Sequence, residues 1–405
     1  MITTDKDLHF GNPLWAAPPS RDLPVDVIRK DLRTDVVIIG AGISGSMMAE
    51  ELTDAGLKVV LLDKRYPGHG STMATTALLQ YEIDQPLTHL IPQIGFEKAA
   101  RAWRRAKLCT ECLAVRIQML GIRCGLRLQQ SLYLNGNKLN AEELHKEMEL
   151  RNQIGLQSEV IKRKALLDEY GLHAAAALRS YHSYSAHPYH LSNGFLKKAM
   201  ERGATVYSPV TVSAISSSPR RVYIQTSYGF NITARYAVFA TGYEVPEQLS
   251  DQPFKIFSTW AMATRKQSRS VFKKLPLIWE AADPYLYLRP TTDGRIICGG
   301  EDEEFSDEEK RNALNASKLP ALQRKLSKLL PGIDTRADFA WSGAFGITSS
   351  GLPLIGAVPG LDNCFAVLAF GGNGITWSRM GAEMIRNLIT GKEEIDEDLV
   401  RFHKK

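Results

Sequence analysis

An apolar stretch of strand length, Asp35-Val-Val-Ile-Ile, runs straight into Gly40-Ala-Gly42-Ile-Ser-Gly45. A second apolar stretch, Val59-Val-Leu-Leu62, ends on Asp63, eighteen residues after Gly45. Between them, Ser46 to Ala55 has helical composition and stops at Gly56. Strand, glycine turn, helix and a second strand closing on an acid form the fingerprint of a dinucleotide seated on a helix N-terminus. Gly40 permits the tight turn, Gly42 lets bare backbone approach a pyrophosphate, and Gly45 lets the helix pack close to the strand. The phosphate charge then lies at the positive end of the helix dipole, with the N–H groups of the first turn around Ile43 and Ser44 pointing at it. Asp63 is placed to accept hydrogen bonds from the ribose hydroxyls, and an acid there disfavours a 2′-phosphate.

The fingerprint does not separate NAD from FAD. Directly after Asp63 comes Lys64-Arg-Tyr-Pro-Gly-His-Gly70-Ser71-Thr72-Met-Ala-Thr-Thr76-Ala77, small and rich in hydroxyls, which suits contact with an extended cofactor. Taken alone, the stretch reads equally as an ordinary turn and helix cap. Tyr236-Ala-Val-Phe-Ala-Thr241-Gly242 is another short buried strand, and Cys364-Phe-Ala-Val-Leu leads into the turn Gly371-Gly372-Asn373-Gly374-Ile375-Thr376. A helix is expected from Trp377 to Leu388.

In order and spacing, these pieces, together with Trp341-Ser-Gly343-Ala-Phe345-Gly-Ile-Thr-Ser-Ser-Gly-Leu-Pro-Leu-Ile-Gly356, resemble the D-amino-acid oxidase/glycine oxidase/sarcosine oxidase family. The resemblance spans about Asp35 to Gly391 and is nearest the γ-glutamylputrescine oxidase-like branch. It implies an α/β fold: a Rossmann-like FAD-binding domain assembled from discontinuous segments, plus an α+β substrate domain with an antiparallel sheet. The expected boundaries are an irregular arm over 1–30, an FAD-binding domain from 31–90, 175–245 and 336–405, and a substrate domain from 91–174 and 246–335. Cofactor contacts are implied at Gly40, Gly42, Ile43, Ser44, Gly45, Asp63, Lys64, Gly70, Ser71, Thr72, Thr76, Ala77, Val210, Thr241, Gly242, Gly343, Gly372, Asn373, Gly374, Ile375 and Thr376.

The implied reaction is oxidation of a C–N bond by hydride transfer from an amine to flavin N5, with water hydrolysing the imine. The flavin carries that chemistry and the protein positions it. Backbone N–H groups of Gly372 to Ile375 are expected to face the negative charge that reduction places near flavin N1. The chain departs from its relatives where they bind a substrate carboxylate. Thr376 stands where sarcosine oxidases carry lysine, Phe345 where glycine oxidases carry arginine, and Ala77 to Asp84 contains no arginine. A charge-assisted hydrogen-bond pair contributes roughly 1.5–3 kcal/mol, so losing all three anchors points to an amine without a nearby α-carboxylate. Tyr81, Trp260, Tyr287 and Arg289 are pocket candidates by placement. Glu82 and Asp84 are candidates to attract a cationic substrate end, or are structural carboxylates. No cysteine lies near Ala344–Phe345, where sarcosine oxidases attach their flavin, so non-covalent FAD is expected. The electron acceptor is oxygen or another molecule. A nicotinamide-dependent dehydrogenase and a non-catalytic FAD-binding accessory subunit are the competing readings.

Composition agrees with a two-domain globular enzyme. The chain has 405 residues, 44% hydrophobic and 23% charged, beyond the size at which single cores stop growing. No run approaches the roughly 20 apolar residues of a membrane span, no signal peptide is visible, and five cysteines suggest reduced thiols and a cytoplasmic location. Cys109-Thr-Glu-Cys112 lies within a helical pattern (Ala99 to Leu120) with Trp103, Leu108, Cys112, Val115 and Met119 as its expected apolar stripe. The net charge of +6 is dispersed, which argues against nucleic acid. A hairpin is expected at Tyr285–Gly299, and Glu301–Glu304 as a solvated loop before a helix capped by Ser306 and Glu309.

Overall fold

A computed structural model describes residues 2–16, 23–268, 275–368 and 370–403. Residues 17–22 of the expected arm, and Ala369 just before the second glycine turn, lie outside them. Two sheets organise the chain. The smaller runs β17 (Leu354–Ala357), β18 (Cys364–Leu368), β11 (Asn231–Phe239), β2 (Leu32–Ile39), β3 (Val59–Leu62), β8 (Thr205–Tyr207). Its centre, β18-β11-β2-β3-β8, is parallel, while β9 (Val212–Ser218) and β10 (Arg221–Thr226) continue from β11 as an antiparallel meander.

The period-two side-chain alternation of a strand explains why β2 is apolar throughout. Val36 and Ile38 enter a core shared with helices α1 (Ile43–Asp54), α6 (Pro188–Glu201) and, at the chain's far end, α8 (Gly374–Ile389). Val37 and Ile39 face the opposite way, against Val222, Ile224 and Ile2. Each fully buried Val or Ile contributes about 1.5–3 kcal/mol. A strand covered on both faces therefore tolerates no polar residue in its middle.

The larger sheet runs β1 (His9–Asn12), β16 (Ala337–Thr348), β12 (Phe254–Thr264), β15 (Ile296–Glu303), β14 (Leu286–Pro290), β13 (Leu277–Glu280), β5 (Arg127–Leu134), β7 (Ala176–Ser185), β4 (Leu78–Leu79), with β6 (Ser158–Lys162) beside β7. All its pairs are antiparallel except β13 with β5. The expected domain segments do not follow this sheet: β4, β7 and β16 belong to it although they fall within 31–90, 175–245 and 336–405, the segments expected to form the nucleotide domain. Nor is the N-terminal arm irregular, because β1 pairs with β16 and Thr3 bridges Pro246.

One face of the larger sheet carries α7 (Glu308–Leu329), whose Leu322 and Leu326 pack on Trp260, Met262 and Cys298. The cap is Asp307, accepting from the N–H of Lys310, one residue later than expected. The expected hairpin is present, but β15 continues through Glu303, so the acidic run starts as strand. Glu301 and Glu303 hold Lys318 and Lys325 of α7.

Helix α3 (Phe96–Met119) forms near its expected bounds with a different buried face. Leu108, Val115 and Met119 are 48%, 53% and 73% exposed, while Trp103, Ala106, Cys109, Thr110, Leu113 and Ile117 are buried. The expected stripe gave no weight to the alanines and Thr110. Those small residues let α3 approach α8, and Thr110 Oγ1 lies 3.4 Å from Thr376 Oγ1. Among the described residues, no helix is long and apolar enough to cross a membrane.

Candidate active site

Gly40 ends β2 at a φ of +107°, where a side chain would be strained, and its missing Cβ would run into the Ala240 carbonyl. At Gly45 an added Cβ would overlap the Gly40 carbonyl, so only glycine lets α1 start this close to β2. Gly42 caps α1 with ordinary dihedrals (φ −78°), and a Cβ there would meet only Thr72 Oγ1, at 3.1 Å. The Thr72 hydroxyl accepts from the Ile43 N–H at 3.0 Å.

The N-termini of α1 and α8 converge on one cleft, and Ser44 Oγ lies 2.8 Å from Ser378 Oγ. The cleft encloses about 1810 Å³ of space, part of it open to solvent, and both glycine turns line it. Ile43, Ser44, Asp63, Lys64, Gly70, Ser71, Thr72, Thr76, Val210, Thr241, Gly242, Gly343, Gly372, Asn373, Gly374 and Ile375 line it too. Gly45 lies behind it in its packing role. Ala77, at φ +56°, turns the chain away into β4.

At the β3 end, Asp63 Oδ2 accepts from the Ala41 N–H at 2.7 Å and Oδ1 from the Arg65 N–H at 2.8 Å. Burial outweighs both and raises the Asp63 carboxyl to about 6. Arg65 grips Glu244 with two nitrogens, at 2.8 and 3.0 Å, and Lys64 reaches the same carboxylate at 2.7 Å. The Lys6 N–H also donates to Glu244, at 3.1 Å. The arm is thereby fastened over this end, with Ile2 and Thr3 forming part of the wall.

The other end lies against the larger sheet. On β12, Thr259 and Ala261 face the cleft while Trp260 faces α7, its indole N–H donating to the Arg311 carbonyl at 3.2 Å. Trp260 is therefore a core residue and not a pocket residue: alternation puts it on the face opposite Thr259, and α7 covers that face. Tyr287 does line the cleft, joined by Tyr285, Trp279, Trp341 and Phe345. Arg289 does not: it donates to the carbonyls of Thr76 (2.6 Å) and Ala186 (3.0 Å) and stacks over Trp15, with burial lowering it to about 9. Tyr81 packs edge-on against Trp103, outside the cleft. The Glu82 side chain is also turned away, near Ser183, while its carbonyl accepts from Asn373 Nδ2 at 2.5 Å. Thr376 Oγ1 donates to the Gln80 carbonyl at 2.9 Å and does not line the cleft. Glu82, through its carbonyl, and Thr376, through its hydroxyl, thus fix the second glycine turn from behind, while Tyr81 is a core residue packed on α3.

Asp84 lines the cleft and accepts from the Gly372 N–H at 2.7 Å; burial, ahead of that bond, raises its carboxyl above the usual range. Gln80, Thr259, Trp279, Tyr285 and Trp341 were missed from sequence. Alternation from Tyr287 points to Tyr285, but the facing of Thr259 needs the β12–β16 register. Buried polar atoms without a partner mark both halves: Ser71 Oγ and Thr241 Oγ1 at the nucleotide end, Gln80 Oε1, Thr259 Oγ1 and Trp279 Nε1 at the other.

Bare backbone at two helix N-termini, unpartnered hydroxyls and an acid at the end of β3 fit a dinucleotide laid through the cleft. None of the cysteines lines it. Fold and site together define a dinucleotide-dependent oxidoreductase. Residues 35–388 match the family model described as DAO, FAD dependent oxidoreductase. The chain belongs to this family, and its cofactor is FAD, held without a covalent bond.

The chain is 24% identical over 395 residues to gamma-glutamylputrescine oxidoreductase of Escherichia coli (strain K12), covering 94% of this chain and 89% of that protein. It is also 24% identical over 376 residues to glycine oxidase of Bacillus licheniformis, covering 89% and 94%. Among solved structures, glycine oxidase from Geobacillus kaustophilus superposes with a TM-score of 0.77 at 20% identity, covering 92% of this chain and 99% of that one. L-proline dehydrogenase from P. horikoshii gives 0.75 at 20% identity, covering 91% and 97%. The protein is an FAD-dependent oxidoreductase acting on amines or amino acids.

Proposed function

We propose that this protein oxidises a C–N bond in an amine that carries no free α-carboxylate beside the reacting carbon. The observation that carries this reading is the distribution of charge along the cleft. Lys64 and Arg65 are the basic side chains among the described lining residues, and both are bound to Glu244 at the Asp63 end. The other half presents Asp84, Gln80, Thr259 and aromatic rings. A carboxylate buried there would meet no cation, and an unpaired buried charge is heavily disfavoured. One relative is named for an amine substrate and another for an amino acid; the lining favours the former chemistry.

When bound, FAD supplies the hydride acceptor. The chain's own part is positional. The N-terminal end of α8 at Gly374 and Ile375 favours negative charge at the adjacent cofactor edge. Asp84 holds Gly372 in place through its N–H, and Asn373 is fixed by the Glu82 carbonyl. The aromatic wall excludes water from the reacting carbon, and water re-enters to hydrolyse the imine.

The test is the visible spectrum of the purified protein, followed under anaerobic conditions with a panel of primary and secondary amines against α-amino acids. Flavin bands that bleach fastest with amines support the reading. Faster bleaching by α-amino acids overturns it, and a colourless protein overturns the use of FAD altogether.

A further inference from the structure

We propose that Asp302, with the rings of Tyr285, Tyr287 and Trp279, binds a positively charged nitrogen of the substrate other than the one being oxidised. This inference rests on the amine reading above and extends it to the substrate's far end.

A bulge in β15, where Glu301 takes φ +60° and the pairing with β12 shifts register, aims the side chain. Glu301 and Glu303 point to α7, where they hold Lys325 at 2.5 Å and Lys318 at 2.6 Å. Asp302 lies between them and faces the opposite way, behind Thr259 and Tyr285, which form the cleft wall in front of it. Part of its stem remains accessible, but both carboxylate oxygens are shut off from solvent and neither completes a hydrogen bond. The hydroxyls of Thr259 and Tyr285 approach without full bonding geometry, and the charged groups acting on it most, Asp84 and Asp283, are themselves acidic. Burial pushes its carboxyl up to about 7. A buried acid that two hydroxyls approach, with no basic group among the charges acting on it most, is a costly arrangement unless a cation arrives to meet it.

The surroundings suit an organic cation. The Tyr285 and Tyr287 rings lie 5.4 Å apart, and Trp279 is held rigid by stacking on Tyr133 at 3.9 Å. Desolvated ring faces attract ammonium groups, most strongly the indole of tryptophan. The nitrogen being oxidised must be neutral when its α-carbon loses hydride, and an ion pair with Asp302 would hold it protonated. The anionic corner therefore belongs to a distal nitrogen, as in a diamine or an amine capped by a quaternary ammonium.

The test uses the flavin-loaded protein and two shape-matched, non-oxidisable probes: choline and its neutral carbon isostere 3,3-dimethylbutan-1-ol. Each is titrated while the perturbation of the flavin bands is followed. Choline is expected to bind at least tenfold more tightly. Asp302→Asn should weaken choline about tenfold to a hundredfold, within the range of a close, desolvated charge pair, while leaving the isostere and the flavin content unchanged. Equal affinities for the two probes in the native protein, or no saturable perturbation by choline, overturn the proposal whether or not the variant folds. A yellow Asp302→Asn protein that keeps native choline affinity overturns it as well. A native protein without flavin sinks the underlying amine reading instead, so the two failures are told apart.

Discussion

Substitution of Gly42 by alanine separates folding from cofactor binding more cleanly than any other change in the cleft. The residue has φ −78°, a conformation alanine adopts freely, and the new Cβ meets only the Thr72 hydroxyl, at 3.1 Å. Stability should therefore change little, by about 1 kcal/mol at most, the scale of replacing a good N-cap residue by alanine. The methyl nevertheless projects from the helix N-terminus into the cleft, where the pyrophosphate must come within hydrogen-bonding distance of bare backbone. Loss of one charge-assisted bond amounts to roughly 1.5–3 kcal/mol, so FAD affinity should fall about tenfold to a hundredfold. The assay is fluorescence titration of the apoprotein with FAD, alongside thermal melting of the same apoprotein. An alanine variant that melts and binds FAD like the native protein would refute the placement of the pyrophosphate at Gly42. Gly45→Ala is the contrasting case: its Cβ overlaps the Gly40 carbonyl, and overpacking against rigid backbone should cost about 1–3 kcal/mol in the apoprotein itself.

Asp63 gives a pH signature. Its folded-state carboxyl is raised to about 6 from 3.8, so the folded apoprotein holds a proton that the unfolded chain releases. This contribution to stability is largest at low pH and is lost as pH rises from about 4 through 6, a change of up to about 3 kcal/mol. Ribose hydroxyls donate to the ionised form, so FAD affinity should instead strengthen as pH rises through about 6. In Asp63→Asn both trends should flatten, and a native-like pH profile of FAD titration in that variant would contradict the assignment. Far from the cleft, Glu147 accepts from the Leu87 and Thr88 N–H groups at the start of α2 (Leu87–Ile94), and its buried partner is Arg151 at 2.9 Å. Arg151→Leu leaves that carboxylate uncompensated and should lower stability by about 3–5 kcal/mol in chemical denaturation; a loss below 1 kcal/mol would mean the pair is not the anchor of α2.

The nucleotide half was legible because its signals are local. Gly40, Gly42, Gly45 and Asp63 fall within 24 residues, and each meets a backbone constraint that does not depend on the rest of the chain. The hairpin from Leu286 to Glu303 and the helix after Gly374 were equally local. The substrate half was not. Trp260 and Thr259 are neighbours in sequence, and only the stacking of α7 on one sheet face decides which of them lines the cleft. Arg289 carries a charge suited to a carboxylate, but Trp15 and two carbonyls from distant segments claim it. The α3 stripe failed for the same reason, since its buried face was set by what α8 could approach.

The sequence alone determined that this chain winds a parallel sheet around a glycine turn and seats a dinucleotide there, because backbone sterics and the helix dipole act within a few residues. Which side chains meet the substrate was decided only by tertiary structure. Asp302 shows the reason: in the sequence it is one acid among four, and it becomes a buried, unpartnered carboxylate only once α7 draws its neighbours Glu301 and Glu303 to the opposite face.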